Sequence, residues 1–332
     1  MSSRPRFGTR PLAAVAAIAF LTILAPFATA QEKYPTRPIT LVVPFPPGGS
    51  DTVARILGPK LRETLGEPWV IDNKPGAAGT LGSHVVARAA ADGYTLLFAT
   101  ASFPVAAVFY KNLPFDSVRD FAAVSAVGSQ PFVLVVHPSL PAKSVKELIA
   151  LAKSHPEQLN YASTGTGGIG HLASELFKHV TGVRITHVPY KGTGPAVTAV
   201  LAGECQLMLP NVSGALPYIR AGRLRALAVA ATQRSALAAA LPTFTELGYP
   251  DLVAGTWYGV LAPQRTPQAI VDKLNKAIVS ALRDKTIHDQ ITAVGVEPVT
   301  STPQEFAQFV QSEMTKWGRV MQQAGLSQKQ TS

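Results

Sequence analysis

Cysteine is almost absent. Cys205 is the only one in 332 residues, so an internal disulfide framework is excluded, as are zinc sites built on cysteine clusters. The residues around it, Val200, Leu201, Leu207 and Leu209, are apolar, which points to a buried, inert thiol. Charge is sparse at 15% of residues, and it leans basic, with 30 Lys and Arg against 20 Asp and Glu. The basic residues are scattered, without a run and without interleaved aromatics. That lacks the footprint of a nucleic-acid surface and suits solubility with a mild attraction for anions. Past residue 30 no apolar run approaches the roughly 20 residues of a membrane span. Catalytic signatures are missing as well. There is no G-x-S-x-G elbow and no H-E-x-x-H pair, and His171 and His179, eight apart on one helical stretch, lack metal-ligand spacing.

The first thirty residues read as a secretory leader. Arg4, Arg6 and Arg10 precede an uncharged apolar run over residues 12–24, and Ala28-Thr29-Ala30 is a small-x-small cleavage site. Pro26 ends the run too early for an anchor, and no cysteine near residue 31 offers a lipid attachment. The exported chain is expected to begin at Gln31 and to be periplasmic.

Hydrophobic residues make up 47%, enough for a large buried core, and the length suits two lobes. Short apolar runs alternate with helical patterns. Strands are expected at 39–43, 69–72, 95–99, 159–162, 185–188, 206–209 and 224–230. Helices are expected at 50–65, 81–91, 144–154, 169–181 and 194–201. This alternation predicts an α/β protein with a mainly parallel sheet in each lobe, flanked by helices. Gly66 is placed to end the first helix in a left-handed cap, and Pro59 predicts a kink or break within it. The last third holds one extended segment at 253–262 and long helices at 267–282 and 303–323. Phe306, Phe309, Val310, Met314 and Trp317 recur there at helical spacing and read as core. These helices are expected to return to the first lobe, giving two crossings, near 130–137 and 253–259. The resulting division is a leader over 1–30, lobe 1 over 31–130 and 255–332, and lobe 2 over 131–254.

The loops at the strand ends are the informative pattern. Pro46-Pro47-Gly48-Gly49-Ser50-Asp51, Pro75-Gly76-Ala77-Ala78-Gly79 and Thr100-Ala101-Ser102 fall in the first lobe. Ser163-Thr164-Gly165-Thr166-Gly167-Gly168, Tyr190-Lys191-Gly192-Thr193-Gly194 and Asn211-Val212-Ser213-Gly214 fall in the second. In parallel sheets such loops gather at the carboxyl edge, where ligands bind, and each leads into a helix whose first N–H groups are unsatisfied and partly positive. A hydrogen bond to a charged group contributes about 1.5–3 kcal/mol, and micromolar affinity needs about 8 kcal/mol. Four or five such bonds hold a small acid without an arginine. The candidate ligand contacts are Gly48, Gly49, Ser50, Asp51, Ala77, Ala78, Thr100, Ser102, Ser163, Thr164, Gly165, Thr166, His171, Tyr190, Gly192 and Asn211. For several a structural role competes. Ser50 and Asp51 suit a helix cap equally well. His171 reads as a carboxylate partner or a surface residue, Tyr190 as a cleft wall or a packing residue, and Asn211 as a ligand contact or a cap. Gly165-Thr166-Gly167-Gly168-Ile169-Gly170 matches the dinucleotide fingerprint, but Thr186-His187-Val188-Pro189-Tyr190 lacks the acid that such a site requires. No nicotinamide, flavin, metal or other cofactor is expected.

Taken in combination, these segments resemble a known family. Tyr34-Pro35-Thr36-Arg37-Pro38-Ile39 and Val43-Pro44-Phe45-Pro46-Pro47-Gly48-Gly49-Ser50-Asp51 are similar to its opening signature. Asp72-Asn73-Lys74-Pro75-Gly76-Ala77-Ala78-Gly79, Asp92-Gly93-Tyr94-Thr95-Leu96-Leu97, His187-Val188-Pro189-Tyr190-Lys191-Gly192 and Ala221-Gly222-Arg223-Leu224-Arg225-Ala226-Leu227-Ala228-Val229 continue the match. The family is the Bug-type periplasmic solute receptors of tripartite tricarboxylate transporters, and the resemblance spans the chain after the leader. It implies a type II periplasmic-binding-protein fold and no catalysis. It implies a carboxylate, such as a di- or tricarboxylate or an aromatic acid, held between lobes by backbone amides, loop hydroxyls and water. It points to Gly48, Gly49, Ser50, Ala77, Ala78, Thr164, Gly165 and Thr166, with Tyr190 and Gly192 on the far wall. It also implies delivery of the solute to a two-subunit membrane permease. A monomer is the expected state. An exported sensor signalling through a membrane partner is the alternative, and an α/β enzyme comes last. Two features depart from the family pattern: Leu209-Pro210-Asn211 lacks the usual acid after its strand, which argues against an amino-acid ligand, and Pro59 interrupts the first helix.

Overall fold

A computed structural model describes residues 1–2 and 34–326. The leader expected over residues 1–30 lies, its first two residues apart, outside the described residues. Strand β1 (Ile39–Val43) is an Ile/Leu/Val-rich run that is almost wholly buried, as a strand covered on both faces must be. It pairs in parallel with β2 (Trp69–Asn73) on one side and β3 (Thr95–Thr100) on the other. Helices α1 (Ser50–Leu65) and α2 (Thr80–Ala87) make the crossovers. Gly66 ends α1 with φ 88°, the left-handed cap that glycine adopts most readily. Of the kink or break expected at Pro59, the break does not occur. α1 runs through as one element, and both Pro59 and Arg55, whose carbonyl loses its N–H partner, are exposed or half-buried, so water can take over that bond.

After β3 comes α3 (Ser102–Phe109), a helix the sequence pattern does not predict. Strand β4 (Phe121–Pro131) then completes the outgoing path, and β5 (Val133–Val136) opens the second sheet. There follow α4 (Val145–Ser154), β6 (Asn160–Ser163), α5 (Ile169–Thr181), β7 (Thr186–Pro189), α6 (Thr193–Leu201), β8 (Leu207–Met208), α7 (Val212–Arg220) and β9 (Arg225–Val229). Strand β10 (Gly255–Pro263) returns to the first sheet, trailed by α8 (Gln268–Arg283), α9 (Lys285–Ala293), β11 (Glu297–Pro298) and α10 (Pro303–Gln323). The strand orders are β11-β4-β10-β3-β1-β2 and β7-β6-β8-β5-β9. Pairing is parallel where strand–helix–strand units succeed one another. It is antiparallel at β4, β10, β5 and β9, the strands that enter or leave each sheet at the crossings, and at the short edge strand β11.

The two crossings lie side by side. Phe132 donates its N–H to Ala254 O (3.0 Å), Ala254 donates to Ala230 O (3.0 Å), and Ala230 donates to Phe132 O (2.8 Å). Gly255 sits where a Cβ would fall 2.6 Å from Gln130 O, so the two chains touch main chain to main chain. Helix α10 reaches across this junction. Phe306 and Val310 join the core under the first sheet, while Trp317, Val320 and Met321 join the second, with Leu176, Phe177 and Phe244. The expectation that it covers only the first lobe thus describes its N-terminal half. Phe309, expected in the core, is 40% exposed. It lies edge-on to Trp257 with ring centres 5.5 Å apart.

Candidate ligand-binding cleft

The glycine-rich turns after β1, β2 and β3 belong to one sheet and those after β6, β7 and β8 to the other. Their conformations are those of a tight, backbone-displaying edge. Gly48, Gly49, Gly76, Gly165 and Gly192 all have positive φ, and so do Ala77 (44°) and Ala78 (55°). An L-residue held left-handed costs about 1–2 kcal/mol. Two in succession mark a loop whose shape the surrounding structure imposes.

Between the halves lies a cavity of about 200 Å3. Ala78 and Ser102 line it from the first lobe, and Thr164, Gly165, Thr166, Gly167 and Gly168 line it from the second. One face of α3 makes most of its remaining wall: Val105, Ala106 and Phe109 stand three, four and seven residues after Ser102, which is helical spacing for a single face, and Tyr110 just past the helix and Ile169 of α5 complete it. No charged side chain lines it. Donors are nevertheless at hand. Within the second-lobe loop, Gly165 N–H goes to Ser163 Oγ (3.2 Å), Gly167 N–H to His171 Nδ1 (3.0 Å) and Gly168 N–H to Gly165 O (3.3 Å). The N–H groups of Thr164 and Thr166 have no acceptor among the described residues, and the same is true of Ala77 and Ala78. Unpaired main-chain donors on both sides of a gap can bind an anion without a cationic side chain.

The remaining predicted residues divide by what they touch. Gly48 and Gly49 are exposed in the turn before α1, outside that cavity's lining. Ser50 and Asp51 are buried, and neither caps α1 with its side chain. Asp51 instead takes two bonds from Arg55 Nε (3.1 and 3.0 Å), and Arg55 reaches on to Asn73 Oδ1 (3.4 Å). Burial disfavours the Asp51 charge, but the bonds from Arg55 and Asn73 outweigh it and hold the carboxyl below its ordinary range. Asn73 donates to Phe45 O (3.0 Å), so this trio ties the first two turns together. Thr100 is buried and accepts the Ser102 N–H (3.2 Å), which starts α3.

In the second lobe Ser163 is buried and supports its own loop. His171, 3% exposed, faces that loop from behind. Tyr190 packs on the core beside α6 and sets its hydroxyl 3.6 Å from Cys205 Sγ. That contact and burial push its pKa up to about 12. Cys205 is buried, as expected. Gly192 opens α6, with nothing within 4 Å of where a Cβ would sit. Asn211 precedes α7 without capping it, and its buried Oδ1 lacks a partner among the described residues. Sequence reasoning missed the α3 wall. No periodic signal was there to find: Ser102–Phe109 is apolar on nearly every face and holds Pro104 in its first turn, so it carries no helical alternation.

Comparison with known proteins decides the family. The tripartite tricarboxylate transporter family receptor profile matches residues 53–326. The chain belongs to this family. Protein BugT of Bordetella pertussis is 41% identical over 325 residues, covering 97% of this chain and 99% of BugT. Among solved structures, Rpa4515 of R. palustris, determined with adipate, is 37% identical with a TM-score of 0.76, covering 88% of this chain and 98% of that one. MatC from Rhodopseudomonas palustris, with bound malate, is 34% identical with a TM-score of 0.72, covering 86% and 99%. Family members are periplasmic binding receptors with the two-lobe fold, not enzymes, and this receptor shares that fold.

Proposed function

We propose that this receptor captures a small carboxylate in the gap between α3 and the loop after β6, and delivers it to a two-subunit membrane permease. Lobe 1 is then residues 31–130 and 255–332, lobe 2 is residues 131–254, and the exported monomer begins after cleavage behind Ala30. The observation that carries the reading is the cavity itself. It is lined from both lobes, bordered by unpaired main-chain donors and free of charged side chains. The carboxylate of the acid accepts from the loop N–H groups and the hydroxyls of Ser102, Thr164 and Thr166. Its hydrocarbon body lies along Val105, Ala106, Phe109 and Tyr110, where apolar contact contributes about 25 cal/mol per Å2 buried. Relatives that hold adipate and malate support the class of ligand.

Closure works through the paired crossings at Phe132 and Ala254, which bend while each sheet stays rigid. The test is a thermal-shift screen of residues 31–332 with malate, adipate, citrate and benzoate. A ligand that binds only the folded form raises its melting temperature, by about 2.7 kcal/mol of stabilisation at a hundredfold excess over Kd. No shift with any of them counts against the proposal.

A further inference from the structure

Beneath the second-lobe loop lies a cluster of buried titratable groups that the binding reading leaves unused. The imidazoles of His171 and His187 are stacked, with centres 4.0 Å apart and planes 11° from parallel. Tyr161 continues the stack, 4.9 Å from His187 and 6.4 Å from His171. Each imidazole holds one end of the loop. His187 Nε2 lies 2.7 Å from Ser163 Oγ, the same oxygen that accepts the Gly165 N–H. His171 Nδ1 accepts the Gly167 N–H at 3.0 Å.

The chemistry of the second contact is one-directional. A backbone N–H only donates, so His171 Nδ1 must offer a lone pair and its ring proton sits on Nε2. A second proton can enter only at Nδ1. It would then confront the Gly167 N–H donor to donor, and the bond would be lost. We infer that His171 and His187 are positioning residues which, as a neutral pair, set the Ser163–Gly168 loop in its anion-binding shape, so that protonation of the pair releases the solute. This rests on the carboxylate-capture reading above.

The groups facing the pair come from every element around it. On α5, Glu175 Oε1 is 3.9 Å from His171 Nε2 and draws a proton in. Lys178 Nζ, 2.8 Å from the same oxygen, partly offsets that pull. From β6, the Tyr161 hydroxyl donates to Glu175 at 2.5 Å; burial, then this bond, raises its pKa. On β7, burial first and then the neighbouring His171 hold His187 down to about 4, against an ordinary value near 6.5. Two stacked rings cannot both be charged cheaply, so the pair takes up its first proton well before its second, and that first proton already disturbs the loop.

The experiment uses the exported chain, adipate and benzoate as probes, and amide and imidazole NMR between pH 8 and 4. In the unliganded protein the Gly167 amide resonance should move in step with the His171 ring as it titrates. The affinity for whichever probe binds should fall at least tenfold over the same interval. His171→Gln keeps an acceptor for the Gly167 N–H but cannot titrate. Its affinity should no longer fall as the parent's His171 titrates, leaving only the fall near pH 4 that His187 brings. His171→Ala should bind more weakly at every pH. A Gly167 resonance that stays still while His171 titrates overturns the inference, as does a His171→Gln affinity that falls over the same pH interval as the parent's. If neither probe binds at any pH, the capture reading fails for these acids, and the Gly167 resonance still decides the positioning role.

Discussion

Gly167 is a point where the two lobes meet closely at the cleft, and replacing it isolates the cost of closure. A Cβ there would lie 2.4, 2.7 and 2.8 Å from three carbons of the Phe109 ring, across the gap on α3. The residue also has φ 79°. Gly167→Ala therefore carries two penalties: about 1–2 kcal/mol for a left-handed alanine, and about 1–3 kcal/mol for an overpacked contact. Their destinations differ. Backbone strain is present whether the lobes are apart or together, whereas the clash with Phe109 is relieved as soon as they separate. The melting temperature should fall by the strain alone, and solute affinity should fall by the clash, about 5- to 150-fold at tenfold per 1.4 kcal/mol. Gly192→Ala is the control. It has φ 103° and ψ 176°, a region alanine avoids at least as strongly, and nothing within 4 Å of its Cβ position, so it should lose at least as much stability with little clash penalty in affinity. Adding Phe109→Ala to Gly167→Ala should recover part of the lost affinity, a non-additivity expected of residues in contact. Calorimetric titration and thermal unfolding of the parent, the three single variants including Phe109→Ala, and the double variant measure both quantities. A Gly167→Ala variant that binds like the parent would refute the claim that this contact closes in the bound form.

Other expectations concern the frame. Glu313 is buried and accepts from the indole nitrogens of Trp257 (3.3 Å) and Trp317 (3.0 Å) while pairing with Lys316; Glu313→Ala should destabilise by about 3–5 kcal/mol, read from urea midpoints, and a loss under about 1 kcal/mol would contradict the role of α10 as a strap. Gln130 donates to Gly295 O at 2.9 Å and to Ser213, and accepts from Tyr258 at 3.3 Å; Gln130→Ala should cost about 1–3 kcal/mol by leaving buried groups unpaired. Because His187 has a folded pKa of about 4, below its unfolded value, the unfolded chain binds more protons between pH 6.5 and 4. Stability should therefore decline as pH drops through that window, by about 3 kcal/mol at most, and His187→Gln should flatten the decline in a thermal-unfolding series. Tyr190→Phe loses hydroxyl contacts that face Cys205 Sγ and Glu204 and should leave affinity within about threefold, measured by calorimetry.

Much of this architecture is written in local pattern. The helices at Ser50–Leu65, Ile169–Thr181 and Pro303–Gln323 have the predicted ends, because each carries a clear signal: Gly66 and Gly182 as left-handed caps, and Thr302 with Glu305 as a capping box. Helices α7 and α9 were missed although both are amphipathic; each has only nine residues, and Pro217 sits inside the first. The antiparallel strands at the hinge depend on how distant segments meet, which no local period records. The site was half legible. Turn residues with positive φ announce themselves as glycines, but Ala77 and Ala78 adopt the same geometry without a glycine to flag it. The roles of His171 and Tyr190 were ambiguous for a simpler reason. Whether a side chain points into a cleft or supports it from behind is decided by the packing of β6, β7 and α5, not by its position in the sequence.

The central claim is that main-chain donors of two lobes meet around a bound acid. A crystal structure of residues 31–332 with whichever of malate, adipate, citrate or benzoate raises the melting temperature most tests it directly. Carboxylate oxygens should lie at hydrogen-bond distance, about 2.7–3.2 Å, from the N–H groups of Thr164 or Thr166 and of Ala77 or Ala78, with the body of the acid against α3. An acid found instead in the groove beside the hinge, held by Arg234 or Lys316, would contradict it.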